Sequence, residues 1–441
     1  MCLTILADAV CCAGCTICKG CCSCFQSICG ATFKQQIKLT YLIIMIIAMI
    51  FTIIVLYYAS YILDPFTDYI HCSDQTGGKW VCLGVSSVYR MSLSLAILHF
   101  LILLACLTKS EFSKQVNEGC WCLKVLLIFV IWVLFFFVPN TFFEGYSDFA
   151  KFIGALFLFF QIIMLIDLAY MWGESWIEKY ENDNKAYGVL LVIGTVVCDG
   201  LVIFLNVYMF IWYSSDSSCS LTIFLVVFNL ILILIMNLLT ISGIAKNGSL
   251  MTCASFSLYI TYILWSGMSS NPDAGCNELI SNANTMVVEI IFGFLLIVIA
   301  LTYMVFNTNK KSAKRIPIMR GKDLNSNIIL DEGDEEKGPN NQQQQELFQN
   351  KEKDVDESMK PYKTNIYVVF HGIMTVASVY ISMLLTNWGS PNINDTRLNK
   401  FEPSNTSFWL QVVASWLAVL VYIWTLVAQK IFPDREFYDD N

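Results

Sequence analysis

The stretch LTYLIIMIIAMIFTIIVLYYASYIL, from Leu39 to Leu63, carries no charged side chain in 25 consecutive positions. A helix of about 20 apolar residues covers the roughly 30 Å hydrocarbon layer of a bilayer. A helix packed on a water-soluble core would leave a polar face at 3.6-residue spacing, and this stretch has none. It reads as a membrane-spanning helix. Further apolar runs of spanning length follow at about 83–107, 121–143, 149–172, 187–213, 220–244, 250–268, 285–306, 365–387 and 408–431. The chain is therefore read as an all-α polytopic membrane protein with about ten transmembrane helices. Helical character can continue from Phe149 to Tyr180, longer than a bilayer needs, so the fourth span is expected to be long and tilted, with the others in two groups around it.

Composition agrees. Hydrophobic residues make up 56% of the chain and charged residues 14%, against about 25% charged in soluble domains. Much of the acid behind the net charge of −8 lies in one loop. No basic surface suits nucleic acid, and no nucleotide-binding motif supports an ATP-driven pump. The organisation expected is a cytoplasmic cysteine-rich segment at 1–38, eight spans at 39–306, a disordered acidic loop at 307–364, two spans at 365–431 and a tail at 432–441. The loop has too little apolar surface to offset its chain entropy. No basic n-region precedes an apolar run, so insertion is expected to rely on the first span.

Positive charge places both termini in the cytoplasm. On that orientation only Lys79, Lys151, Arg397 and Lys400 face the other side. Two glycosylation sequons, at Asn394 and Asn405, then fall in the last external loop. Cys72, Cys82, Cys219 and Cys276 also fall outside, where disulfides are permitted. A Cys72–Cys82 bridge within one loop is expected, with free thiols as the alternative. The host membrane is the plasma membrane or an endomembrane.

The N-terminal cysteines admit three readings. Cys12, Cys15, Cys18 and Cys22 match an iron–sulfur spacing, C-x2-C-x2-C-x3-C, but lack its following Pro. Cys11, Cys12, Cys15, Cys18, Cys21, Cys22 and Cys24 are juxtamembrane acylation candidates. They also suit a helix lying in the interface. Acylation is preferred, and no metal site is assigned. Hydroxylamine-sensitive acyl labelling separates acylation from metal binding.

Charges inside a bilayer are costly and face a partner or a water-filled cavity. Arg90 and Glu289 share one depth and opposite sign, so they are expected to pair. Asp167 sits near enough to the interface to reach headgroups. Asp199 lies near the midplane, with Asn206 one to two turns on, and is the best candidate to line a polar cavity. Asn229 and Asn237 are candidate interhelix partners. With three histidines, His71, His99 and His371, and no zinc pair or nucleophile elbow, enzyme chemistry is poorly supplied. No catalytic residue and no cofactor are assigned.

Several segments together resemble the serine incorporator (Serinc, or TMS membrane protein) family. They are the cysteine-rich tract; SVYRMS around Arg90; LIDLAYMWGESW from Leu165; SLYITYILWSGMSSNPD from Ser257, with Cys276 and Asn277; LTNW from Leu385; and SWLAVLVYIWTLVA from Ser415. The resemblance implies ten helices in two subdomains crossed by a long diagonal helix. It implies a role in serine incorporation into phosphatidylserine and sphingolipids, or ATP-independent lipid scrambling. A scramblase needs a polar groove open to lipid, and Asp199 and Asn206 are its candidate lining. A serine carrier, a scaffold for lipid synthases, or a structural protein altering bilayer order are the alternatives. Expected partners are phospholipids, with serine and lipid-synthesis enzymes next; homo-oligomerisation stays open.

Overall fold

A computed structural model describes residues 33–66, 70, 79–108, 111–182, 184–213, 219–242, 249–279, 283–306, 364–389, 391 and 405–431. The cysteine tract, the acidic loop, Cys72, Asn394 and the tail lie outside them. The described residues form helices α1 (Phe33–Tyr57), α2 (Ala59–Ile62), α3 (Lys79–Leu107), α4 (Glu111–Glu118), α5 (Trp121–Leu134), α6 (Asn140–Glu181), α7 (Lys185–Tyr213), α8 (Ser220–Ile241), α9 (Leu250–Ser269), α10 (Ala283–Phe306), α11 (Thr364–Leu385) and α12 (Asn405–Ile431). Nine of these are long and apolar enough to cross a membrane, and Trp121–Phe137 is a shorter apolar stretch. Backbone polar groups in hydrocarbon must be satisfied within the segment, which is why helices are the form taken.

The third and fourth spans differ from the expected boundaries. The third closes at Phe137 in a 3₁₀ turn, Phe135–Phe137. Pro139 has no N–H to continue a helix, and its extended backbone starts α6 at Asn140. Residues 140–148, assigned partly to the third span and partly to a loop, belong to α6. That helix has 42 residues, about 63 Å at 1.5 Å per residue. A helix this long must incline within the roughly 30 Å layer or project from it.

The other helices pack in two groups, and α6 touches both. One group holds α1, α3, α5, α10 and α11; the other holds α7, α8, α9 and α12. Helix α6 packs on α3, α10 and α11 of the first and on α7, α9 and α12 of the second. Its own buried residues divide the same way. Phe143, Tyr146, Ala150 and Phe157 join the first core, and Ile162, Ile166 and Tyr170 join the second. The changeover takes five residues, about 7.5 Å of helix. In the second group α9 is the enclosed centre, with 78% of its spanning window buried, and α7 is the outer wall, with 6%.

Small residues set the closest approaches. A Cβ on Gly154 of α6 would stand 2.9 Å from Met383 Cγ and 3.0 Å from the Trp388 ring. Small residues let helices approach where lipid supplies no hydrophobic drive between them. We expect Gly154→Val to destabilise the fold by about 1–3 kcal/mol through overpacking, read as a lower unfolding midpoint in detergent. An unchanged midpoint would show that α11 yields there at no cost.

Candidate functional site: polar groups within the bundle

Asp199 is the middle residue of α7 and is half-buried on that outer helix. Its neighbour Cys198 places Sγ 4.0 Å from Ser255 Oγ on α9. Asn206, two turns further on, is buried. Its Nδ2 donates to Val202 O at 2.8 Å, and its Oδ1 accepts from Asn229 Nδ2 at 3.3 Å. Asn229 Nδ2 also donates to Thr261 Oγ1 at 3.3 Å. This amide set ties α7, α8 and α9 together. Asn206 thus has protein partners on two helices, as an amide in an apolar setting takes those its neighbours offer, whereas Asp199 lies half-buried on the same helix. Asn237 bonds the Ile233 carbonyl of its own helix at 3.0 Å.

The expected Arg90–Glu289 pair does not form. Arg90 is fully buried. Its Nε donates to Phe135 O at 2.9 Å and its Nη2 to Val138 O at 3.0 Å. Its Nη1 donates to Ser86 O and Asn140 Oδ1, each at 3.0 Å. The guanidinium also lies 4.3 Å from the Phe143 ring centroid. The last carbonyls of a helix lack partners within it, and the break between α5 and α6 exposes several at once. A planar fork of five donors suits that cluster better than a single carboxylate does.

Glu289 is buried on α10 and faces α9. Ser266 Oγ donates to Glu289 Oε1, and Ser269 Oγ donates to Oε2 at 2.7 Å. Gln411 on α12 also lies within hydrogen-bonding reach of the carboxylate. Asp167 likewise turns inward rather than toward headgroups. It is buried, and its Oδ2 accepts from Tyr303 OH on α10.

Glu289 borders a cavity where α6 passes between the two cores. Gln161 of α6, Tyr262 and Ser266 of α9, Tyr380 of α11, Trp388 and Gln411 share its wall. A polar network closes one side. Ser270 and Ser407 donate to Asn387 Oδ1 at 3.1 and 2.9 Å, and Gln411 Nε2 donates to Ser407 Oγ at 3.0 Å. Asn387 and Trp388 have φ of 48° and 60°, a region costly for side-chain-bearing residues and most so for a bulky one. The turn after α9 is built from its own sequence: Asp273 N donates to Asn271 Oδ1 at 3.1 Å, and Asn277 Nδ2 donates to Ser269 O and Asn271 O at 3.1 and 2.9 Å.

One buried cluster escaped the sequence analysis. His99 Nδ1 and His371 Nδ1 are 3.1 Å apart, and His371 Nε2 is 2.9 Å from Asn117 Oδ1. With Asn117 Oδ1 accepting, His371 Nδ1 is the acceptor and His99 Nδ1–H the donor. Tyr41 OH and Lys124 Nζ donate to Asn117 O at 2.7 and 2.9 Å. Counting charges within apolar runs reaches Lys124 but overlooks the two histidines and Gln161; counting every strongly polar side chain finds them.

At the surface, Cys219 and Cys276 form a disulfide with Cα atoms 5.5 Å apart, joining the start of α8 to the turn after α9. Cys82 is disulfide-bonded, and its expected partner Cys72 is outside the described residues. Asn405 is exposed at the start of α12, while the sequon's Ser407 is buried. The seven acylation candidates lie outside the described residues. Among those residues no group of His, Cys, Asp and Glu is placed to hold a metal ion.

Truncating Arg90 would remove the side-chain donor from Val138 O and leave a large cavity, while Phe135 O and Asn140 Oδ1 would keep donors in Val138 N–H and Ser86 Oγ. We expect Arg90→Ala to cost on the order of 2–5 kcal/mol, seen as loss of monodisperse protein or a much lower unfolding midpoint. Arg90→Lys should not restore it, because one ammonium cannot span that set. Full rescue by lysine would show that charge alone matters.

Comparison with known proteins agrees with this architecture. The family model described as Serine incorporator (Serinc) matches residues 10–435. A Probable serine incorporator of Nematostella vectensis is 30% identical over 374 residues, covering 80% of this chain and 81% of that protein. Serine incorporator 3 of Bos taurus is 27% identical over 398 residues, covering 81% of each. Membrane protein TMS1 of Saccharomyces cerevisiae is 27% identical over 404 residues, covering 81% of this chain and 83% of that one. With nearly the whole chain matched and its polytopic helical fold in place, the protein belongs to the serine incorporator family.

Proposed function

We propose that this serine incorporator moves phospholipid between leaflets without ATP, and thereby affects the synthesis of phosphatidylserine and sphingolipids. The observation that carries the reading is Asp199, a half-buried carboxyl at the middle of the helix that forms the outer wall. A carboxyl at that depth is costly unless something polar attends it. A headgroup crossing along α7, with its tails left in the bilayer, supplies such company. Asp199 attends the crossing headgroup, and Asn206 serves as a structural clasp that holds α7 in place. In this reading the protein does no covalent chemistry and both termini are cytoplasmic, the side favoured by its lysines and arginines.

Reconstitution into liposomes with labelled lipid tests the proposal. Wild-type protein should expose inner-leaflet label without nucleotide. Asp199→Asn should slow exposure about 5–10-fold, equivalent to roughly 1–1.4 kcal/mol on the barrier, with folding unchanged. An unaltered rate removes Asp199 from the path. Serine uptake by wild-type protein with no lipid movement replaces the reading by a carrier.

A further inference from the structure

The cavity at the changeover of α6 holds an unusual combination. Glu289 is a buried carboxylate whose recorded partners, Ser266, Ser269 and Gln411, are all neutral. Among the described residues no Lys, Arg or His lines the cavity. A second acceptor stands in the same wall. Gln161 is 2% exposed, and its Oε1 has no hydrogen-bond partner. Asn277 Oδ1 is likewise buried without a partner, but among the described residues Gln161 Oε1 is the unpartnered atom in this cavity's wall, and such a group calls for an explanation.

The remaining wall has the character of a cation site. Tyr262, Tyr380 and Trp388 supply aromatic surface, whose ring faces attract desolvated cations. The cavity offers about 50 Å³ for the centres of water-sized atoms. One water needs about 10–15 Å³ on that measure, so a few heavy atoms fit and a whole lipid does not. Asn387 and Trp388, whose positive φ closes the end of α11 with Trp388 N–H donating to Met383 O at 2.9 Å, form part of this wall.

We propose that this cavity binds an organic ammonium group, with the Glu289 carboxylate as its counter-charge and Gln161 Oε1 as an added acceptor. The two acceptors would take the ammonium hydrogens, and the aromatic rings of the same wall would meet its carbons. The group has two chemical sources: a free small amine or amino acid, or the head of an aminophospholipid entering between α9, α10 and α11. The site is separate from Asp199, so its failure leaves the lipid-movement reading standing, and the converse holds.

The test uses the purified full chain in dodecyl maltoside, which carries no ammonium. Calorimetric titration with ethanolamine probes the free source. Titration with dioctanoyl phosphatidylethanolamine, against dioctanoyl phosphatidylglycerol, probes the lipid source. Saturable binding of either ammonium compound, weakened at least tenfold in Glu289→Gln, is the expected result, and the arm that binds names the source. Gln161→Leu should weaken binding without lowering the unfolding midpoint, because replacing an orphaned acceptor by an apolar group costs little. Absence of binding in both arms overturns the proposal. So does equal affinity in Glu289→Gln, which would mark the carboxyl as a neutral structural group. Displacement of the amine by millimolar sodium would reassign the site to an inorganic cation.

Discussion

A 42-residue helix in a hydrocarbon layer about 30 Å thick is the constraint on which the structure depends. Because α6 is about twice the length that spanning requires, it cannot sit in one bundle like its neighbours. Residues of its first half join the core of α3 and α11, those of its second half join the core of α9 and α12, and Tyr303 of α10 reaches Asp167 in the second half. The two cores are therefore held to each other chiefly through one backbone, with α9 and α10 in direct contact beside it. The cavity lies at the crossover, where side chains of neither core fill the space completely.

Polar groups in such a bundle have no water to fall back on, so each local break in the helices is matched by a particular side chain. Arg90 closes the gap between α5 and α6 with four hydrogen bonds. Tyr303 meets Asp167 across α6 and α10. The Asn206, Asn229 and Thr261 set joins three helices of the second group. These contacts are individually modest in a membrane setting, but leaving any one of them half-made exposes a buried donor or acceptor, which costs more than the contact returns. Gln161 and Glu289 differ in that an unpartnered acceptor and a carboxylate share the wall of one cavity, and that shared space is what separates a candidate site from a clasp.

Legibility from sequence follows the range of each interaction. The spans were readable because bilayer thickness acts on every stretch independently, and apolar length alone reports it. The extended fourth helix was readable in part from the helical character beyond Trp172, but its start at Asn140, signalled by Pro139, was masked by the apolar run that continues through Phe142 and Phe143. Depth along a helix is also readable, since each residue adds 1.5 Å. Equal depth then suggested pairing Arg90 with Glu289, which failed because depth says nothing about which way a helix is turned or which neighbour stands beside it. The same gap concealed His99 and His371, 272 positions apart and hydrogen-bonded.

By itself, then, the sequence determined the class, the helical spans, the excess length of α6, the family and the residues whose polarity had to be accommodated. Only the tertiary structure decided which of those residues are satisfied by one another and which are left facing a space. Hydrophobic thickness is a property of one segment at a time, whereas hydrogen-bond satisfaction is a property of pairs. Pairs between helices are set by how the helices rotate and cross, and α6 governs that crossing.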